Sequence, residues 1–131
     1  MNSPATTDPD PRQRELDQLA DQAADVVRRC LAHGASQAEA VLNSDRGLST
    51  SVRLGEVETI ERQRDRGVAV TVYFGQRKGS ASSADLDPAS IETTIAHACA
   101  IARHTEPDAA AGLADAERMA GALRDLDLWH P

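Results

Sequence analysis

Four histidines, His33, His97, His104 and His130, and two cysteines, Cys30 and Cys99, are the side chains here best suited to hold a transition metal. A zinc ion needs three or four such donors around it, and in a sequence that need shows as ligand pairs a few residues apart. No HExxH or HExxxH segment occurs. His97 and His104 lie on a stretch that reads as helix, seven residues apart, so they share a face but sit about 10 Å apart along the axis. That is too far for one ion, and all four histidines read as ordinary surface or partly buried side chains. Each cysteine stands alone in a helical pattern without a second cysteine at metal or redox spacing, which predicts buried free thiols and fits a reducing cytosol.

Nucleophilic chemistry has candidates but no apparatus. Ser80, Ser82 and Ser83 crowd one segment, yet no GxSxG elbow surrounds them and no histidine or acid is placed to activate them. Of the carboxylate pairs, Glu56 and Glu58 read as solvated on an exposed strand, and Asp87 reads as a helix cap beside Asp85. The run Gly79-Ser80-Ala81-Ser82-Ser83-Ala84 calls for another explanation, because small side chains pack little and mark an edge or a place where another backbone comes close. Two readings stay open. Gly79, Ser80, Ala81, Ser82 and Ser83 form an interface or peptide-contact strand, or the following helix packs tightly over them.

These residues must be carried by a small framework. Of the 131 residues 40% are hydrophobic, but 23 are Ala and only Tyr73, Phe74 and Trp129 are aromatic, so the core is thin and depends on Val, Leu, Ile and close Ala contacts. A net charge of -7 excludes unspecific attraction to a phosphate backbone. Arg62, Arg64 and Arg66 are interleaved with Glu61 and Asp65 and read as a solvated hairpin or loop. The start, with three prolines in residues 1–11, reads as a flexible tail, and neither a leader nor a run of membrane-spanning length is apparent.

From Arg12 the spacing of Leu16, Leu19, Ala20, Ala23, Val27 and Cys30 predicts an amphipathic helix closed by Gly34. Strands are expected at Ala38–Asn43, Leu48–Leu54, Val57–Arg62, Val68–Phe74 and Lys78–Ser83, with turns at Gly55-Glu56 and Gly75-Gln76-Arg77 and a hydrophilic connection from Gln63 to Arg66. Val57 and Ile60 fall out of phase, which predicts a bulge or a mixed environment. A second helix opens on Asp87-Pro88, with Leu86 stapled to Ile91 and a stripe of Ile91, Ile95, Ala98 and Ala102; Pro107 ends it. A short helix is expected near Ala114–Leu123. The fold class is α+β: helix, a mainly antiparallel sheet of four to five strands, then helix, over residues 12–107, with an Ala-rich segment from 108 to 131.

The segment Arg77-Lys78-Gly79-Ser80-Ala81-Ser82-Ser83-Ala84-Asp85-Leu86, taken with Gly55-Glu56-Val57-Glu58 and with Leu126-Asp127-Leu128-Trp129-His130-Pro131, resembles the N-terminal domain of the TldD/PmbA family, on its PmbA (TldE) side. The resemblance implies the front part of a protein of several hundred residues, followed by a C-terminal domain. It implies a cytoplasmic, two-subunit zinc metallopeptidase, also described as a modulator of DNA gyrase, that matures peptide precursors and degrades unfolded peptides. The zinc belongs to a TldD-like partner subunit, whose ligands lie beyond the N-terminal domain, so no cofactor, metal ligand or catalytic residue is expected in this fragment. Its role would be assembly or formation of the peptide chamber, with the TldD-like subunit and unfolded peptide as partners and neither nucleic acid nor membrane contacted directly. The rival reading is a regulatory, protein-binding module linked to gyrase.

Overall fold

The structure, a computed structural model, describes residues 10–128. The expected tail lies almost wholly outside these residues, as do Trp129, His130 and Pro131.

Helix α1 (Pro11–Ala32) starts where Asp10 accepts a hydrogen bond from the Arg12 amide at 3.0 Å, with Pro11 at the first helical position. It stops at His33, and Gly34 takes the left-handed conformation (φ +100°) that turns the chain into the sheet. Its buried residues are Val26 and Cys30, while Leu16, expected in the core, is 59% exposed. The first turns of α1 lie beside arginines of the sheet, so Glu15, not Leu16, is the residue they engage.

Three strands follow where four to five were expected: β1 (Gln37–Arg53), β2 (Glu56–Phe74) and β3 (Arg77–Ser83), an antiparallel meander in the order β1-β2-β3. Ala38–Asn43 and the strand expected at Leu48–Leu54 are one strand that ends at Arg53, and Val57–Arg62 runs straight into Val68–Phe74. The presumed connection Gln63–Arg66 is strand as well, pairing with Ser44–Gly47. Its hydrophilic side chains mislead because only the first turns of α1 reach this stretch, and they meet it with Glu15 rather than with an apolar face. The first hairpin turns at Leu54 and Gly55, both with positive φ (52° and 83°), as a two-residue turn matching the strand twist requires. Ser51 pairs with Thr59 but Val52 with Val57, which leaves Glu58 as an extra residue. This bulge brings Val57 onto the same face as Ile60.

Helix α2 (Pro88–His104) is capped by Asp87, whose carboxylate accepts from the Ser90 amide at 3.3 Å. It buries Ile91, Thr94, Ile95, Ala98, Cys99 and Ala102. Both helices cover one face of the sheet, over Val68, Val70 and Val72, with Cys30 from α1 and Ile95 from α2 in the same fully buried cluster. Each such aliphatic side chain contributes on the order of 1.5–3 kcal/mol by leaving water. Beyond α2 the chain crosses the sheet's end, where the Asp108 amide donates to the Gln76 carbonyl at 2.9 Å and the Leu113 amide to Gln37 Oε1 at 3.0 Å. The helix expected near Ala114–Leu123 reduces to a 3-10 turn at Ala116–Arg118, since Leu123 is 91% exposed and so short a segment gains no packing to offset helix nucleation. Among the described residues no helix is long and apolar enough to cross a membrane.

Of the described glycines, Gly79 is the one most closely approached by another element. A Cβ there would stand 2.2 Å from the Ala98 carbonyl oxygen and 2.4 Å from the Ala102 amide nitrogen, both backbone atoms. Gly79→Ala is therefore expected to push α2 off the sheet and to destabilise the domain by about 2–4 kcal/mol, beyond the ordinary overpacking cost because backbone must move. Chemical denaturation measures it, and a loss below about 0.5 kcal/mol would contradict the close approach.

Candidate functional site

Past the end of α2, β1 and β2 continue as a two-stranded arm, roughly residues 44–66, whose base lies beside the first turns of α1 and whose side chains are almost all exposed. Cross-strand partners share a face, so the register assigns each residue to one of two sides. The side continuous with the core carries Ser44, Arg46, Leu48, Thr50 and Val52 from β1 and Arg66, Arg64, Arg62, Ile60 and Val57 from β2. The outer side carries Asp45, Ser49, Ser51 and Arg53 opposite Asp65, Glu61, Thr59 and Glu56. Every charged residue paired on the helix side is thus an arginine, and every acid paired in the register falls on the outer side. Leu48, Val52, Val57 and Ile60 on the helix side are all about 60% exposed or more.

One carboxylate anchors the base of this arm. Glu15 of α1 accepts from the Ser44 hydroxyl at 3.0 Å and pairs with Arg46, with Arg64 at 3.2 Å and with Arg66 at 3.6 Å. The convergence follows from the register, since Ser44 is opposite Arg66 and Arg46 opposite Arg64. The Ser44 hydrogen bond first, then the Arg64 and Arg46 guanidiniums, hold the Glu15 carboxyl below its ordinary range. Three guanidiniums around one carboxylate leave local positive charge. Beside them a cleft of about 570 Å³ opens between α1, the arm and the turn at Ala84–Asp87.

The residues singled out in the sequence are dispersed. In β3, Gly79 is buried under α2 and Ala81 is half-buried on the same side, while Ser80 and Ser82 are exposed on the other. The close approach that the small residues call for is met at Gly79 by α2. Ser80 Oγ lies 3.0 Å from Thr71 Oγ1, and Ser83 Oγ accepts from the Asp85 amide at 3.1 Å. Glu58 lies 3.7 Å from Arg53, and Asp87 is the α2 cap, its carboxyl held low chiefly by Ser90. His33 Nε2 is 3.2 Å from Glu92 Oε1, whereas His97 and His104 are exposed. Among the described residues no three His, Cys, Asp or Glu side chains converge as a metal site, so this donor set does not fit a zinc ion. The cluster that does converge, Glu15 with Arg46, Arg64 and Arg66, was missed in the sequence. A signal was present: in residues 61–66 arginines alternate with acids and a glutamine at the period of a strand, which sorts charge by face.

This two-layer α+β domain, with an antiparallel meander and both helices on one side, defines the class. Residues 38–102 match PmbA/TldA metallopeptidase domain 1. The chain is 49% identical over 102 residues to the Metalloprotease PmbA of Escherichia coli O157:H7, covering 77% of this chain and 23% of that protein. It is 40% identical over 119 residues to the Metalloprotease PmbA homolog of Haemophilus influenzae (91% and 26%), and 35% identical over 85 residues to that of Buchnera aphidicola (65% and 19%). The chain belongs to the TldD/PmbA family and is an N-terminal domain of that metallopeptidase family. It spans about a quarter of the length of the curated relatives it matches.

Two expectations follow from the charges and thiols. Glu15→Gln removes the anion between three arginines, so faster amide exchange is expected throughout residues 44–50 and 60–66, with the exchange of Val68–Val72 unchanged; equal exchange in both proteins would show that Glu15 does not hold the arm. Burial, and then the neighbouring Cys99, push the Cys30 thiol up to about 11 from 9.0. Because the folded value is the higher one, this stabilisation is complete below pH 9 and is lost as pH rises through about 11. Cys30→Ala should flatten the fall in stability between those values, read from denaturation midpoints at pH 8, 9.5 and 11; an unaltered slope would contradict a titrating Cys30.

Proposed function

We propose that this chain is the N-terminal domain of a PmbA-like subunit of a cytoplasmic two-subunit metallopeptidase, and that it serves subunit assembly and the shaping of a chamber for unfolded peptides. The reading is carried by the 49% identity over 102 residues to a protein named Metalloprotease PmbA. It is supported by the exposed arm, a feature suited to contact with another chain. In this reading the zinc and its ligands belong to a TldD-like partner, and the peptidase acts in peptide maturation and in proteolysis of unfolded peptides. The contribution of this domain is steric: a rigid two-layer body that presents the arm and the exposed side of β3, with Ser80 and Ser82, toward partner or peptide.

The test uses the full-length protein co-expressed with a TldD-like subunit. The expected result is a complex that co-elutes, contains zinc in proportion to the partner and cleaves an unfolded peptide only when both subunits are present. Ser82→Arg, on the exposed side of β3, should weaken that complex while changing domain stability by no more than about 0.5 kcal/mol. A full-length protein that never associates with the partner, beside a partner that cleaves peptides unaided, would overturn the proposal and favour a regulatory module.

A further inference from the structure

Beyond Val68, strand β2 is paired on one side only. β3 ends at Ser83, opposite Val68, and the chain turns away into α2, so alternate residues of β2 between Val57 and Gly67 direct their backbone N–H and C=O groups to an open edge. Such a row is a template for one more strand. The side chains along it are sorted by chemistry. Facing the helix side come Arg66, Arg64 and Arg62, then Ile60 and Val57; facing the outer side are Asp65, Gln63, Glu61 and Thr59. The cleft of about 570 Å³ lies where the added strand would begin, beside Arg64 and Arg66, although Asp85 and Asp87 line it too.

Glu15 already shows what this face accepts, since its carboxylate is held by Arg46, Arg64 and Arg66 together. Arg62 is the next residue outward on the same side, about 7 Å beyond Arg64, and it forms no ion pair among the described residues. A second copy of this chain is a poor occupant, because its matching face offers guanidiniums and no free carboxylate to meet them.

We propose that the open edge of β2 in the arm binds an extended peptide segment of another polypeptide, with carboxylates on alternate residues opposite the arginines and apolar side chains opposite Ile60 and Val57. Main-chain hydrogen bonds would supply the generic affinity, and the arginine-then-apolar order would select sequence and direction. The inference rests on the arm's geometry and holds whether or not the protein works as a peptidase subunit.

The experiment titrates the isotope-labelled chain with a blocked peptide of about nine residues: three glutamates on alternate positions, then two valines, with threonine between. Saturable amide shifts are expected at Val57–Gly67, with a dissociation constant of roughly 0.1–1 mM, in the weak range of a short added strand. Binding should weaken several-fold between low and 0.5 M salt. Arg62→Glu should weaken it about tenfold and Ile60→Thr about threefold, and both side chains are exposed, so unchanged core resonances will report an intact fold. The proposal is overturned if the lysine-for-glutamate peptide binds equally well, or if no arm shift appears at several millimolar. It is equally overturned if the arm shifts depend on protein concentration alone, which would make a second copy the occupant, or if the chain binds anionic phosphatidylglycerol vesicles but not the peptide.

Discussion

The approach of α2 to Gly79 is the constraint on which the rest of the structure depends. With Ala98 and Ala102 on the helix and no side chain on the strand, backbone meets backbone, and Ile95, Cys99 and the three valines of β2 fill what remains. A chain with almost no aromatic residues has few other ways to reach interior density, because the space between layers must be made small rather than filled. α1 then closes the layer beside α2, through Val26 and Cys30 inside and through Glu92 outside, which meets Arg29 at 3.3 Å and His33 at 3.2 Å. Thin layers hold only where both are present, and here they end at different places. The 17 residues of α2 reach about 25 Å, whereas the 19 residues of β2 reach about 60 Å. The arm is what remains of the sheet after its cover stops.

At that boundary the chemistry of the helix-side face changes while its geometry does not. Val72, Val70 and Val68 are succeeded on the same face by Arg66, Arg64 and Arg62, and these by Ile60 and Val57. The arginines stand at the seam between covered and uncovered sheet, where α1 offers Glu15. Their ion pairs are largely exposed, and such pairs add little to stability. Their effect lies in orientation, because a carboxylate fixed on the helix and guanidiniums fixed on two strands set the angle at which the arm leaves the body.

This division explains what could be read from the residues. The α2 N-cap, its buried stripe, the turn after Phe74 and the phase break near Val57 all follow from local rules, and each has its counterpart in the structure, whereas the first turn, expected at Gly55-Glu56, falls one residue earlier at Leu54-Gly55. The strand count does not, because strands are recognised by the burial they need, and Ser44–Gly47 and Gln63–Arg66 need none. Leu16 misled in the same way: its spacing belongs to a buried stripe, but α1 outruns the core at that end. The Glu15 cluster joins residues 29 to 51 positions apart, a distance that no periodicity bridges. What the residues did hold was the alternation of charge sign along β2, which is legible only once the segment is known to be strand.

The arm carries costs that folding alone does not explain. A two-stranded ribbon is marginal in water, and this one persists because its ladder is continuous with the covered sheet. It keeps Leu48, Val52, Val57 and Ile60 in solvent, and at its tip Leu54, 98% exposed, adopts φ 52° in a position that asparagine or glycine would occupy with less strain. None of these side chains gains burial among the described residues. The charges point the same way: a chain with 21 acidic residues sets Arg46, Arg62, Arg64 and Arg66 on a single face of the arm, against the sign of the whole. Over distance the net charge of -7 repels an acidic partner; at contact the arginines of the arm attract it. Recognition is thereby confined to a segment that reaches the arm, with its main chain extended and its carboxylates in register.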